Sequence, residues 1–135
     1  EMGLILMNIT FTDQAIERLQ RYELSSKKML LDFDDGVGPF SAVGSCSLDG
    51  DYRLILVKED LDTPDYNEKI TSNLGDVFIK DHTAVQFDDE MEVRFNPRYF
   101  TMPLVSPKRV LTDNLEVLDL SNTDLNSQID RAHDC

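Results

Sequence analysis

The stretch Asn8-Ile9-Thr10-Phe11-Thr12-Asp13-Gln14-Ala15-Ile16-Glu17-Arg18-Leu19 decides how the chain is read, because its pattern turns from extended to helical at one point. Leu4–Phe11 is rich in Leu, Ile, Met and Phe, as a buried strand would be. Thr12-Asp13 then offers a hydroxyl suited to an N-cap and an acid where the helix dipole favours one. Ile16, Leu19 and Tyr22 recur at helical spacing, with Glu17, Arg18, Gln20 and Arg21 largely on the opposite side, until Ser25-Ser26 ends the pattern. The spacing predicts one long helix between Thr12 and Ser25. Downstream the runs are short and strand-like: Lys28–Phe33, Phe40–Ser47, Tyr52–Lys58, Val77–Lys80, Glu90–Phe95, Val110–Leu111 and Leu115–Leu120. Turn signals separate them at Asp35-Gly36, Gly38-Pro39, Asp49-Gly50, Asn73-Leu74-Gly75 and Asn96-Pro97. Asp-Gly is a preferred type I′ pair, so Phe40–Ser47 and Tyr52–Lys58 are expected to form a hairpin around Asp49-Gly50. The fold class is mainly β with one N-terminal α-helix.

A chain of 135 residues fits one domain, and 41% hydrophobic residues with 7 Phe and 4 Tyr can build a core. The 13 bases against 26 acids leave a net charge of −13, which repels phosphate backbones and anionic lipid, so neither nucleic acid nor membrane is an expected partner. The charge is uneven. Residues 28–62 and 63–95 each hold 8 acids and 3 bases, whereas 96–111 hold Arg98, Lys108 and Arg109 and no acid. That basic island reads either as internal charge balance or as a docking patch for an acidic protein partner. Two widely spaced cysteines, Cys46 and Cys135, make no disulfide framework and suit a reducing, cytoplasmic location. No run approaches the roughly 18–20 apolar residues that span a bilayer. Gly3–Met7 has neither a basic flank nor a cleavage site of the secretory kind. Residues 1–7 are read as a non-native remnant or an extension of the first strand, 8–120 as the core domain, and 121–135 as a polar tail, either a short helix or frayed.

Motifs for chemistry are few. Asp32-Phe33-Asp34-Asp35-Gly36 has the composition of a calcium loop, but an EF-hand starting at Asp32 needs an oxygen ligand where Gly36 stands and Glu where Val43 stands. These aspartates are read as turn formers, and Asp88, Asp89, Glu90 and Glu92 as a turn and a solvated strand face. Gly36–Ser41 matches neither a dinucleotide fingerprint nor a P-loop. Cys46 reads as a small strand thiol and His82 as a surface turn residue, a nucleophile–base pair only if folding brings them together. His133 and Cys135 offer a metal two ligands on the tail, short of a closed site. No acid–base pair or nucleophile emerges, so the chain is expected not to be an enzyme.

Taken in order, these pieces resemble the HesB-like core domain of the A-type iron–sulfur cluster biosynthesis proteins. Asn8–Leu19 resembles that family's strand running into an amphipathic helix, and Lys28–Asp34 its first core strand. Gly36–Ser41 stands in place of its glycine-rich loop, and Tyr52–Val57 resembles the strand after it. Val77-Phe78-Ile79-Lys80-Asp81 and Phe87–Phe95 resemble its later strand, turn and strand. The resemblance covers about residues 8–95 and implies a mixed-sheet pseudobarrel, a non-enzymatic carrier or accessory role in iron–sulfur cluster assembly, iron or a cluster as cofactor, and assembly proteins as partners. The family holds its iron with one cysteine in the glycine loop and a Cys-Gly-Cys near the C-terminus, thiolates being the ligands such clusters take. Here Gly38-Pro39 occupies the loop, Cys46 lies beyond it, Pro97–Arg109 contains no Cys-Gly-Cys, and Cys135 stands alone. No ligand transfers position by position. Cys46 is the one cofactor-binding candidate, in a site shared by two chains. The alternative is a protein-interaction module that keeps the scaffold without iron.

Overall fold

A computed structural model describes residues 7–33 and 52–121. β1 (Asn8–Phe11) leads into α1 (Asp13–Leu19) through Thr12, whose side chain accepts from the Ala15 N–H at 3.2 Å. The elements that follow are β2 (Lys27–Phe33), β3 (Tyr52–Lys58), β4 (Glu68–Ser72), β5 (Val77–Ile79), β6 (Glu90–Val93), β7 (Leu104–Val105), β8 (Val110–Thr112) and β9 (Glu116–Asp119). They form one curled mixed sheet in the order β8-β7-β6-β1-β4-β5-β2-β3-β9. β1 is central and parallel to both β4 and β6, while β2 is antiparallel to β3 and parallel to β5. The fold is mainly β with one N-terminal helix, in a half-barrel.

Alternation along β2 and β3 makes two apolar layers. Met29, Leu31, Leu54 and Leu56 join the main core with Ala15 and Leu19 of α1, Phe11, Ile70, Val77, Ile79 and Val93. Leu30, Ile55 and Val57 point to the other face and pack with Tyr66 and Leu120. These strands are therefore buried on both sides, which is why they read as unbroken apolar runs.

Two expectations change. The helix is shorter: α1 ends at Leu19 and gives way to 3-10 turns at Gln20–Tyr22 and Leu24–Ser26, because Glu23 between them is left-handed at φ 55° and redirects the chain into β2. A spacing of three, Leu19 to Tyr22, suits a 3-10 turn as well as an α-helix, so the pattern alone did not separate them. β4 and β7 escaped the reading because β4 buries only Ile70 and β7 is two residues long. In the expected hairpin, Phe40–Ser47 and Asp49-Gly50 lie outside the described residues. β3 itself pairs with β2 along its whole length and with β9 over Arg53–Leu56.

Candidate functional site

The same alternation assembles the most unusual group of side chains. On the second face, Phe78, Leu30 and Ile55 form an apolar row across β5, β2 and β3, since Leu30 registers with both Phe78 and Ile55. Two residues further on, each of the three neighbouring chains presents a charge: Lys80 just after β5, Asp32 in β2 and Arg53 in β3, with Asp32 and Arg53 directly paired. All three are buried, with exposures of 1%, 0% and 2%. Asp32 Oδ2 accepts from Arg53 Nη2 at 2.8 Å and Asp32 Oδ1 lies 3.2 Å from Lys80 Nζ. Tyr66, on the connection between β3 and β4, donates its hydroxyl to Asp32 Oδ1 at 2.6 Å, and Lys80 Nζ stands 5.7 Å from its ring centre. Burial, then the Asp32 carboxylate, push the Tyr66 hydroxyl far above the ordinary tyrosine range. The Asp32–Arg53 pair lies at the end of the β2–β3 ladder where residues 34–51 leave and return, so it pins the base of the segment that carries Cys46.

This network is structural in its chemistry. Asp32 is saturated by three donors and buried, and Tyr66 keeps its proton, so neither is placed as an acid or base toward solvent. Asp32, read from sequence as a turn former, instead lies within β2 at the centre of a buried charge cluster. The sequence signal was the fall of Asp32 near the end of one apolar run and Arg53 near the start of the next, positions that oppose each other in an antiparallel pair.

The remaining candidates are dispersed. Cys46, Cys135, His133, Asp34, Asp35 and Gly36–Ser41 lie outside the described residues. His82 is half-exposed in the 3-10 segment Asp81–Gln86, its Nδ1 3.7 Å from Asp81. Among the described residues, no three His, Cys, Asp or Glu side chains group as a metal site. A depression of about 290 Å³ beside β1, β6 and β7 is lined by Glu90, Glu92, Arg94 and Ser106, with Arg94 already paired to Glu92.

The basic island divides. Arg109 Nε meets Asp88 Oδ2 at 3.2 Å and its Nη2 donates to the Gln86 carbonyl at 3.1 Å, while Ser106 also donates to Asp88. The Arg109 and Ser106 hydrogen bonds hold the Asp88 carboxyl below its ordinary range. Arg109 therefore serves internal charge balance, whereas Lys108 and Arg98 remain exposed. Arg18 and Arg21 of the α1 region share a depression with Phe95 and Phe100, a grouping that spacing alone did not show, and Arg98 stacks on Tyr99 in the adjoining turn.

A family model described as iron–sulphur cluster biosynthesis matches residues 7–119. A crystal structure from Lactobacillus salivarius, of a protein proposed to act in Fe–S biosynthesis, is 39% identical, with a TM-score of 0.77 over 86% of this chain and 100% of that one. A second such protein, from Lactobacillus acidophilus, is 22% identical at a TM-score of 0.70, covering 95% of this chain and 98% of that one, which shows the shared fold. Comparison with curated proteins finds no match. The sequence has two cysteines, fewer than the several thiolates a cluster ordinarily takes; both lie outside the described residues, among which no three His, Cys, Asp or Glu side chains group as a metal site.

Proposed function

The chain belongs to the iron–sulphur cluster biosynthesis family, and from that premise we propose that it serves cluster assembly as a non-enzymatic accessory protein of the cytoplasm that works by binding other proteins of the process. The observation that carries this reading is the combination of a family match over residues 7–119, on a nine-stranded sheet, with only two cysteines in the sequence. Cluster ligation ordinarily takes several thiolates per site. Recognition requires only a stable surface, and the two-layer packing around β2 and β3 supplies one.

A second reading keeps a carrier role, with Cys46 from each of two chains holding iron or a cluster as cargo. It is favoured by the position of Cys46 on the segment whose base the Asp32–Arg53 pair fixes. One experiment separates the two. In the native host, deletion of the gene should lower the activity of iron–sulfur enzymes, and both the wild-type chain and Cys46→Ser should restore it. Restoration by wild type alone would establish the carrier instead. Iron–sulfur enzymes unaffected by the deletion would remove both readings.

A further inference from the structure

In a chain with twice as many acids as bases, an arginine without a carboxylate partner is unexpected. Arg53, Arg94 and Arg109 each pair with one, respectively Asp32, Glu92 and Asp88. The other three arginines of the described residues, Arg18, Arg21 and Arg98, make no ion pair there; each lies against an aromatic ring, Arg18 and Arg21 wall the same depressions as Phe100, and Arg98 stands two residues before Phe100 on its turn. The Arg18 guanidinium is 5.9 Å from the Phe95 ring centre and 5.8 Å from that of Phe100. Arg21 sits 5.1 Å from the Tyr22 ring and Arg98 5.5 Å from the Tyr99 ring. Phe95 and Phe100 meet edge to face at 5.8 Å.

The aromatic part is held out, not buried. Tyr99 is 65% and Phe100 69% exposed, on a turn closed by the Asn96–Thr101 backbone pair and by Asn96 Oδ1 accepting from the Arg98 N–H. Phe100 holds φ at 56°, the left-handed region that a bulky side chain disfavours. Depressions of about 370 and 170 Å³ share Arg18, Arg21 and Phe100 as a common wall. Glu17 lines one and Glu116 the other, neither paired with these arginines.

We propose that this surface docks an acidic segment of a partner protein, with carboxylates on Arg18, Arg21 and Arg98 and an apolar side chain between Phe95, Pro97 and Phe100. Guanidinium groups offer paired donors to carboxylates, and stacking on rings preorganises them for that contact. Arginine and aromatic residues are also the types that dominate binding energy at protein interfaces. Charge selects the occupant: three unneutralised cations fit a short acidic segment, while the −13 of the whole chain opposes a long polyphosphate or a second copy. The proposal stands apart from the role in cluster assembly, since it concerns what the surface binds and not in which process.

The test is selection of a displayed library of short random peptides on the full-length chain. Enriched peptides are expected to carry net negative charge and an apolar or aromatic residue, and to bind the Arg18→Ala/Arg98→Ala variant about ten-fold more weakly. Their affinity should fall as salt rises. Phe100→Gly should weaken binding as well, with a melting temperature no lower than wild type, because glycine accepts the backbone conformation that phenylalanine strains. Arg98→Ala alone, at an exposed site, guards against a folding effect of the double variant. No enrichment, neutral or basic consensus peptides, or binding unchanged in the variants would overturn the proposal. Displacement of the peptides by an oligothymidylate would assign the surface to nucleic acid, and a wild-type dimer dissolved by Arg18→Ala/Arg98→Ala would assign it to a second copy.

Discussion

Asp32 shows how one residue can be worth more than its surroundings suggest. It is buried with Arg53, Lys80 and Tyr66 around it, so its removal deletes a buried carboxylate that two cations and a hydroxyl share. Asp32→Ala is expected to destabilise the fold by about 3–5 kcal/mol, read from urea unfolding. Lys69 and Asp76 are 3.9 Å apart and half-exposed, and Lys69→Ala should cost about 0–1 kcal/mol by the same measurement. Tyr66 adds a pH dependence. The fold holds its proton more tightly than the unfolded chain does, so its contribution is complete below pH about 10 and is lost as pH rises beyond that value. The urea midpoint should fall in that range for wild type, and the fall should be shallower for Tyr66→Phe. Glu23 is left-handed and exposed, and Glu23→Gly is expected to stabilise by about 0.5–1 kcal/mol.

Among the elements, β1 depends on a side chain borrowed from a turn. Its backbone ladder to β4 ends at Ile9↔Ser72, and Asn73 continues it: Asn73 Oδ1 accepts from Phe11 N–H at 2.8 Å and Asn73 Nδ2 donates to Phe11 C=O at 2.9 Å. Asn73→Ala should cost about 2–3 kcal/mol by removing both bonds from the central strand. The turn at Asn73-Leu74-Gly75 was legible, and Gly75 has φ 115° as such a turn requires, but a clamp on a strand 62 residues away leaves no local trace. The strands β2 and β3 were legible because burial on both faces writes a continuous apolar run. Asp32 was not, since it ends such a run and resembles a turn former until Arg53 is set opposite it. At the other end of the sheet, Arg109 and Ser106 tie the β7–β8 connection to Asp88. The depressed Asp88 carboxyl contributes stability above the ordinary carboxylate range and loses it as pH falls through that range. Asp119 follows the same sign, its burial opposed and outweighed by hydrogen bonds from Ser121 and Lys27. Arg109→Gln should reduce the acid sensitivity of the unfolding midpoint.

For the molecule as a whole, the excess of acids divides the surface. Many acids sit at turns and strand edges, several spent on internal pairs, and the three arginines without an ion pair among the described residues converge on the aromatic turn at Tyr99-Phe100. The family fold and the strand-to-helix opening were readable from the order of short segments. The convergence was not, because Arg18 and Phe100 are distant in sequence and meet only when the turn after β6 packs against α1. Recognition, not cluster ligation, is the chemistry proposed for this chain. Its most direct test is iron and acid-labile sulfide analysis of the native protein purified without oxygen: both should be far below one equivalent per two chains, whereas equal amounts of iron and sulfide that vanish in Cys46→Ser would contradict it.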